Sequence, residues 1–124
     1  MKKLFVSVPM VGRTDEAIRD SMERMKKIAE AVWGEELEII DTMSPRNEPS
    51  NCKHKRLWYL GGSIQMMADA DYFIGVDGYS TLYPGTTIEK EVADLYDIES
   101  YYVPLHIVLK EKEFINSILG ETNE

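Results

Sequence analysis

Apolar residues come in short blocks along this chain, and the blocks alternate between two periods. Leu4-Phe5-Val6-Ser7-Val8 is a strand-length apolar run stopped by Pro9. Ile18, Met22, Met25, Ile28 and Val32 then recur at intervals of 4, 3, 3 and 4, the stripe of an amphipathic helix that covers a sheet. Thr14 is placed to cap that helix, Asp15 and Glu16 fall in its first turn, and Gly34 ends it. Leu37 to Ile40 reads as a second strand, with Asp41 at its carboxyl end. Residues 42–53 carry two prolines and no period, so they predict a long loop of the kind that often forms lids or binding segments. Basic His54-Lys55-Arg56 precedes a second helix with Leu57, Leu60, Ile64 and Met67 inward. Gly61-Gly62 inside it costs roughly 2 kcal/mol relative to two alanines, and marks close packing, a kink or a break into two helices.

Tyr72-Phe73-Ile74-Gly75-Val76 is a third strand, apolar enough to be buried on both faces. A loop rich in Gly, Pro, Tyr and hydroxyl residues follows, punctuated by Gly78 and Pro84-Gly85. Thr86 or Thr87 then caps a helix with Glu89 in its first turn and Ile88, Val92 and Leu95 on one face. Tyr101 to Leu109 reads as a fourth strand, interrupted by Pro104 at an edge or a bulge. Phe114, Ile115, Ile118 and Leu119 make a last short helix, and residues 120–124 fray. Strands alternating with helices predict an α/β fold. It is a three-layer, flavodoxin-like or Rossmann-like parallel sheet of about four to five strands, with helices on both faces and right-handed crossovers. A length of 124 residues fits one domain, 1–124, with a real core.

Charge changes the expected partners. Fourteen basic against 22 acidic side chains leave a formal charge of −8. Proteins that track the phosphates of DNA or RNA are usually basic, so no polymeric nucleic acid is expected, whereas a small nucleotide in a pocket remains compatible. A single cysteine, Cys52, forms no internal disulfide and fits a reducing cytoplasm. No apolar run approaches a membrane span, and Met1-Lys2-Lys3 leads straight into a strand rather than a signal segment, so no membrane partner is expected. There is no Walker loop and no G-x-G-x-x-G after the first strand. Two separated histidines, His54 and His106, make no metal-ligand cluster, the latter reading as a strand residue; neither metal nor cofactor is expected. A receiver-type phosphoacceptor domain would want paired acids where this chain has Pro9-Met10.

In open α/β sheets, ligands sit where carboxyl ends of strands meet loops and helix N-termini. Glu89 is the sharpest candidate there. In the first helical turn, the dipole would lower its pKa and keep it ionised as a nucleophile. Thr86-Thr87-Ile88-Glu89 equally fits a capping box, and on the residues alone the cap is the favoured reading. Glu91 lies roughly 200° further around the helix, toward solvent. Asp41 and Asp77 each follow a strand and could bind sugar hydroxyls or assist proton transfer, or simply make turns. Ser7, Pro9, Met10, Gly12 and Arg13 lie at the carboxyl end of the first strand, and Arg13 before a helix could hold a phosphate or carboxylate. Tyr79 and Tyr83 could stack on a base or bond a sugar, or pack on the domain.

Three motifs resemble one family. Residues 4–12, Leu-Phe-Val-Ser-Val-Pro-Met-Val-Gly, are similar to the opening strand of the nucleoside 2-deoxyribosyltransferase-like superfamily, written "YISGPMTG" in its small bacterial and phage members. Ala68 to Val76 resembles its "aDxvxg" strand, and Gly85 to Ala93 matches its "G-x-x-x-E-x-x-x-A" helix start, in the same order and spacing. The resemblance implies that Glu89 is a nucleophile toward the anomeric carbon of a nucleoside or nucleoside 5′-monophosphate, which reverses the reading from the residues alone. It implies that Ser7, Pro9, Met10, Gly12, Arg13, Asp41, Ser63, Tyr79, Tyr83 and Gly85 line the substrate, with Asp77 or Asp41 as the candidates to replace a missing carboxylate and Asp77 counted with Glu89 as catalytic, and that no metal or cofactor takes part. Ser63 stands where the family often has Asp, Tyr83 where a small Ser is common, and Val8 in place of the first-loop Gly. Those departures imply an altered substrate or lost catalysis; on the latter reading the protein binds or sequesters nucleotides. Sites shared between subunits in the family imply a homo-oligomer. The aromatics of Trp58-Tyr59-Leu60 and Tyr101-Tyr102 are candidates for its contact, or for ordinary core.

Overall fold

A computed structural model of the chain describes residues 1–78 and 82–122. Four strands are described: β1 (Lys2–Val6), β2 (Leu37–Ile39), β3 (Tyr72–Val76) and β4 (Glu99–Val103). They form one all-parallel sheet in the order β2-β1-β3-β4. Five helices accompany them: α1 (Asp15–Trp33), α2 (Lys55–Met67), α3 (Pro84–Leu95), α4 (Leu105–Val108) and α5 (Glu111–Thr122). This is the expected three-layer α/β architecture with flavodoxin-like strand order.

Strand alternation sorts the core into two layers. Leu4, Val6, Ile74 and Val76 pack with Ile18, Met22, Met25 and Ala29 of α1 and with Val108 of α4. On the other face Phe5 and Phe73 pack with Met67 of α2 and Ala93 of α3. The two phenylalanine rings stack with centroids 5.7 Å apart. Gly75 completes that layer by absence, because a Cβ there would come 2.6 Å from the Phe73 ring.

Several boundaries and faces differ from the sequence pattern, among them the last helix, which runs on to Thr122 rather than fraying from residue 120. The run from Tyr101 to Leu109 is two elements: β4 ends at Val103, and Pro104 begins a turn of helix that carries His106. Proline cannot donate to a ladder, and its fixed φ suits a helix start. The same rule moves the start of α3 back to Pro84, so neither Thr86 nor Thr87 is its cap, and Glu89 lies in the second turn. Leu57 of α2 is 63% exposed rather than inward. On α3, Ile88 and Leu95 are exposed while Thr86, Glu89 and Ala93 turn toward the sheet. Gly61-Gly62 interrupts nothing, since α2 runs unbroken through both.

Candidate functional site

Strand order reverses between β1 and β3, and the chain leaves β1 toward one face and β2 toward the other. A crevice opens where loops separate at such a point. Here it is a cleft of about 810 Å³, within the range that holds a small-molecule ligand. Its walls come from the segment after β1, the loop 42–54, the outer side of α2 and the first turns of α3.

Glu89 lies at the cleft and is only 9% exposed. Ser7, just past the end of β1 and itself 1% exposed, donates its hydroxyl to Glu89 Oε1 at 2.7 Å. The Ser7 N–H is held by the Ile74 carbonyl at 2.9 Å, so the donor is fixed by the sheet. No cation and no second carboxylate pairs with Glu89 among the described residues. Burial therefore dominates and pushes its carboxyl up to about 7, with the Ser7 bond opposing. The expectation of a dipole-lowered pKa and of a capping box both fail. α3 begins five residues before Glu89, beyond the first turn where the dipole acts, and the carboxylate bonds a side chain across 82 positions instead of the helix start.

The predicted residues divide. Pro9, Met10, Ser63, Tyr83 and Gly85 line the cleft with Glu89, and Ser7 supports it from behind. Val8 also lines it while its side chain belongs to the α1-side core. Arg13 does not line it, and its side chain is 4% exposed. Its guanidinium donates to Glu113 at 2.7 Å, to the Pro9 and Ala17 carbonyls at 2.7 and 3.1 Å, and to Ser21 Oγ at 2.7 Å. Its Nε, Nη1 and Nη2 are each engaged in fastening α5 and α1 to the first loop, outside the lining of the cleft. Gly12 is an exposed turn residue at φ +75°, where a glycine is favoured.

Neither accessory carboxylate reaches the cleft. Asp41 is exposed and turned onto its own loop, accepting from the Met43 and Ser44 N–H groups at 2.9 and 3.1 Å and from the Ser44 hydroxyl. The Ser44 bond first, then the Met43 bond, holds its carboxyl below the usual range. Asp77 is 65% exposed at its side chain, accepts from the Gly78 N–H and lies 4.0 Å from Lys90 Nζ. Tyr79 lies outside the described residues.

The sequence reading missed two features. Thr42 lines the cleft at 5% exposure, and its hydroxyl has no hydrogen-bond partner among the described residues. A basic rim of Arg46, Lys53, His54, Lys55 and Arg56 borders the same cleft. Its signal was legible as four cations against one carboxylate in residues 42–56 of a chain with charge −8. Its convergence on one cleft was not.

No group of three His, Cys, Asp or Glu among the described residues is placed to hold a metal ion. No helix among them is long and apolar enough to cross a membrane. In comparisons with family models, curated proteins and solved structures, nothing matches this chain significantly. The resemblance to the nucleoside 2-deoxyribosyltransferase-like superfamily rests on its three motifs.

Proposed function

We propose that the protein cleaves or transfers at the N-glycosidic bond of a nucleoside or nucleotide, with Glu89 as nucleophile. The observation that carries this reading is Glu89 itself: buried, without a cation, aimed at a cleft and oriented by Ser7. Isolated buried carboxylates are costly and are concentrated at functional sites. A carboxylate with a raised pKa is also the more basic, hence more nucleophilic, oxygen once ionised.

In the first step Glu89 attacks the anomeric carbon, the C–N bond breaks, and its electron pair leaves with the base, which takes a proton from solvent. An ester between Glu89 and the sugar results. Water or a second base then attacks the same carbon, the ester C–O bond breaks, and the carboxylate returns. Ser7 fixes one oxygen in each step. The cleft supplies no second carboxylate among its described lining residues, so Glu89 carries the covalent chemistry alone.

The test is incubation with nucleosides, 5′-monophosphates and NAD, following free base by chromatography and the sugar adduct by mass spectrometry. Base release that Glu89→Gln abolishes is the expected result, and Glu91→Gln on the exposed side of α3 is the control. The second reading is a nucleotide-binding or sequestering protein without turnover. A basic rim around a cleft with a single carboxylate, whose burial favours its protonated form, supports it. Tight binding without base release would establish that reading instead. We also propose a homo-oligomer, with Trp58, Tyr59 and Tyr101 at least part-exposed as contact candidates. A monomer mass independent of concentration by sedimentation would refute it.

A further inference from the structure

We propose that the loop after β2 and the N-terminus of α2 form a subsite for a phosphate chain, so that the ligand of this cleft is a nucleoside 5′-diphosphate or longer. The nucleoside part of this statement rests on the glycosidic reading; the phosphate-chain part does not.

Two independent observations converge on it. The first is electrostatic. α2 is 13 residues long, its N-cap His54 makes no side-chain capping bond, and no acid lies in its first turn. Lys53 precedes that turn, and Lys55 and Arg56 lie in it, at the end where the helix dipole is already positive. Arg46 joins them from the loop. Its guanidinium lies against α2 where Gly62 leaves room, since a Cβ there would sit 2.2 Å from Nη1. It is also held over the Tyr59 ring, 5.4 Å from the centroid. Glu48 is the sole acid of the segment, and it pairs with Lys55 at 3.4 Å. Cations concentrated on uncapped N–H groups repel one another and the dipole until an anion arrives.

The second observation is the Thr42 hydroxyl, buried in the wall of the same cleft with no partner among the described residues. A buried hydroxyl left unbonded is costly, and a turn of the Thr42 side chain toward the cleft it lines would let a ligand oxygen satisfy it. Length of the chain follows from charge. One phosphate carries about −1.5 to −2 at neutral pH, less than the cations of this rim can balance, whereas two or three linked phosphates match it.

Calorimetric titration of the intact protein with inorganic phosphate, pyrophosphate, and a matched nucleoside, 5′-monophosphate and 5′-diphosphate tests the proposal. Pyrophosphate should bind about tenfold or more tightly than phosphate, the gain of one further charge-assisted contact. The diphosphate should bind more tightly than both the monophosphate and the nucleoside. Arg56→Ala and Lys53→Ala should each weaken pyrophosphate by about tenfold. Thr42→Val should weaken it severalfold while leaving the melting temperature unchanged or higher, which a structural threonine would not do. Glu89→Gln should leave pyrophosphate binding intact, so failure of base release alone removes the glycosidic reading and not the subsite. Pyrophosphate binding no tighter than phosphate, or indifferent to these substitutions, would overturn the proposal. So would tighter binding of a single-stranded oligonucleotide than of the diphosphate, which would assign the rim to a polymer.

Discussion

The corner between β1 and α1 and the cleft between α2 and α3 obey opposite rules. At the corner every charge has an answer. Thr14 caps α1 by accepting from the Ala17 N–H at 3.1 Å, Asp15 and Glu16 face the positive end of the dipole, and Arg13 is paired with Glu113. At the cleft, α2 begins with cations and no side-chain cap, and among the described residues Glu89 is buried without a cation and the Thr42 hydroxyl is unbonded. Local rules are satisfied where the chain only has to fold, and broken where a ligand would complete them. Breaches of that kind gather at functional sites.

The largest effect belongs to Glu89. Its carboxyl rises from an ordinary 4.5 to about 7 in the folded protein. Between those values the unfolded chain has lost the proton and the folded protein keeps it, so stability falls as pH rises from about 4.5 to 7. Above that window the whole penalty, about 3 kcal/mol, is present. Glu89→Gln removes it. The variant should be more stable than the parent at pH 8 by about 3 kcal/mol and no more stable at pH 4, read from urea melts. Equal stability at both pH values would mean that Glu89 is not strained, and the contrast with the corner would lose its main support.

Arg13 is the opposing case. Arg13→Ala should cost about 2 to 3 kcal/mol, because it strands the Glu113 carboxylate and the Pro9 and Ala17 carbonyls together. Nucleotide affinity of the protein that remains folded should not change. A variant that keeps its stability and loses affinity would show that the sequence expectation of an anion ligand was correct after all.

The two helix starts give a matched pair of about 1 kcal/mol with opposite signs. Thr14→Ala should destabilise by that amount through loss of the cap. Arg56→Glu should stabilise the unliganded protein by up to that amount, by putting an acid where the dipole favours one, and should abolish pyrophosphate binding. Thermal melts in low salt, where these terms are least screened, decide both.

The smallest effect separates the two glycines of α2. Alanine at either should add about 0.5 to 1 kcal/mol from helix propensity. Gly61 faces open space, so Gly61→Ala should leave anion binding alone. Gly62→Ala displaces the Arg46 guanidinium and should weaken pyrophosphate while still raising the melting temperature. Equal binding by the two variants would remove Arg46 from the subsite.

What the sequence determined by itself was the alternation of elements and the sheet they form. Blocks such as Leu4 to Val8 and Tyr72 to Val76 are too short for helices and too apolar for a one-sided sheet, and the 4, 3, 3, 4 spacing of α1 fits no strand. These are local periodicities, and local periodicity survives in the folded chain. Only the tertiary structure decided which side of α3 is inside. Ile88, Val92 and Leu95 make the apolar stripe on paper, yet docking against β3 and β4 leaves Ile88 and Leu95 exposed, keeps Val92 partly buried and buries Thr86, Glu89 and Ala93, because Ser7 meets Glu89 there and Ala93 fits beneath the phenylalanine layer. The same holds for charge. Residues 42–56 are visibly basic, and Arg13 is visibly a lone cation before a helix, but a sequence cannot say which cation meets a carboxylate 100 positions away. Pairing of distant groups depends on the packing of whole elements, and packing turned Arg13 inward to Glu113 and left the α2 cations facing the cleft.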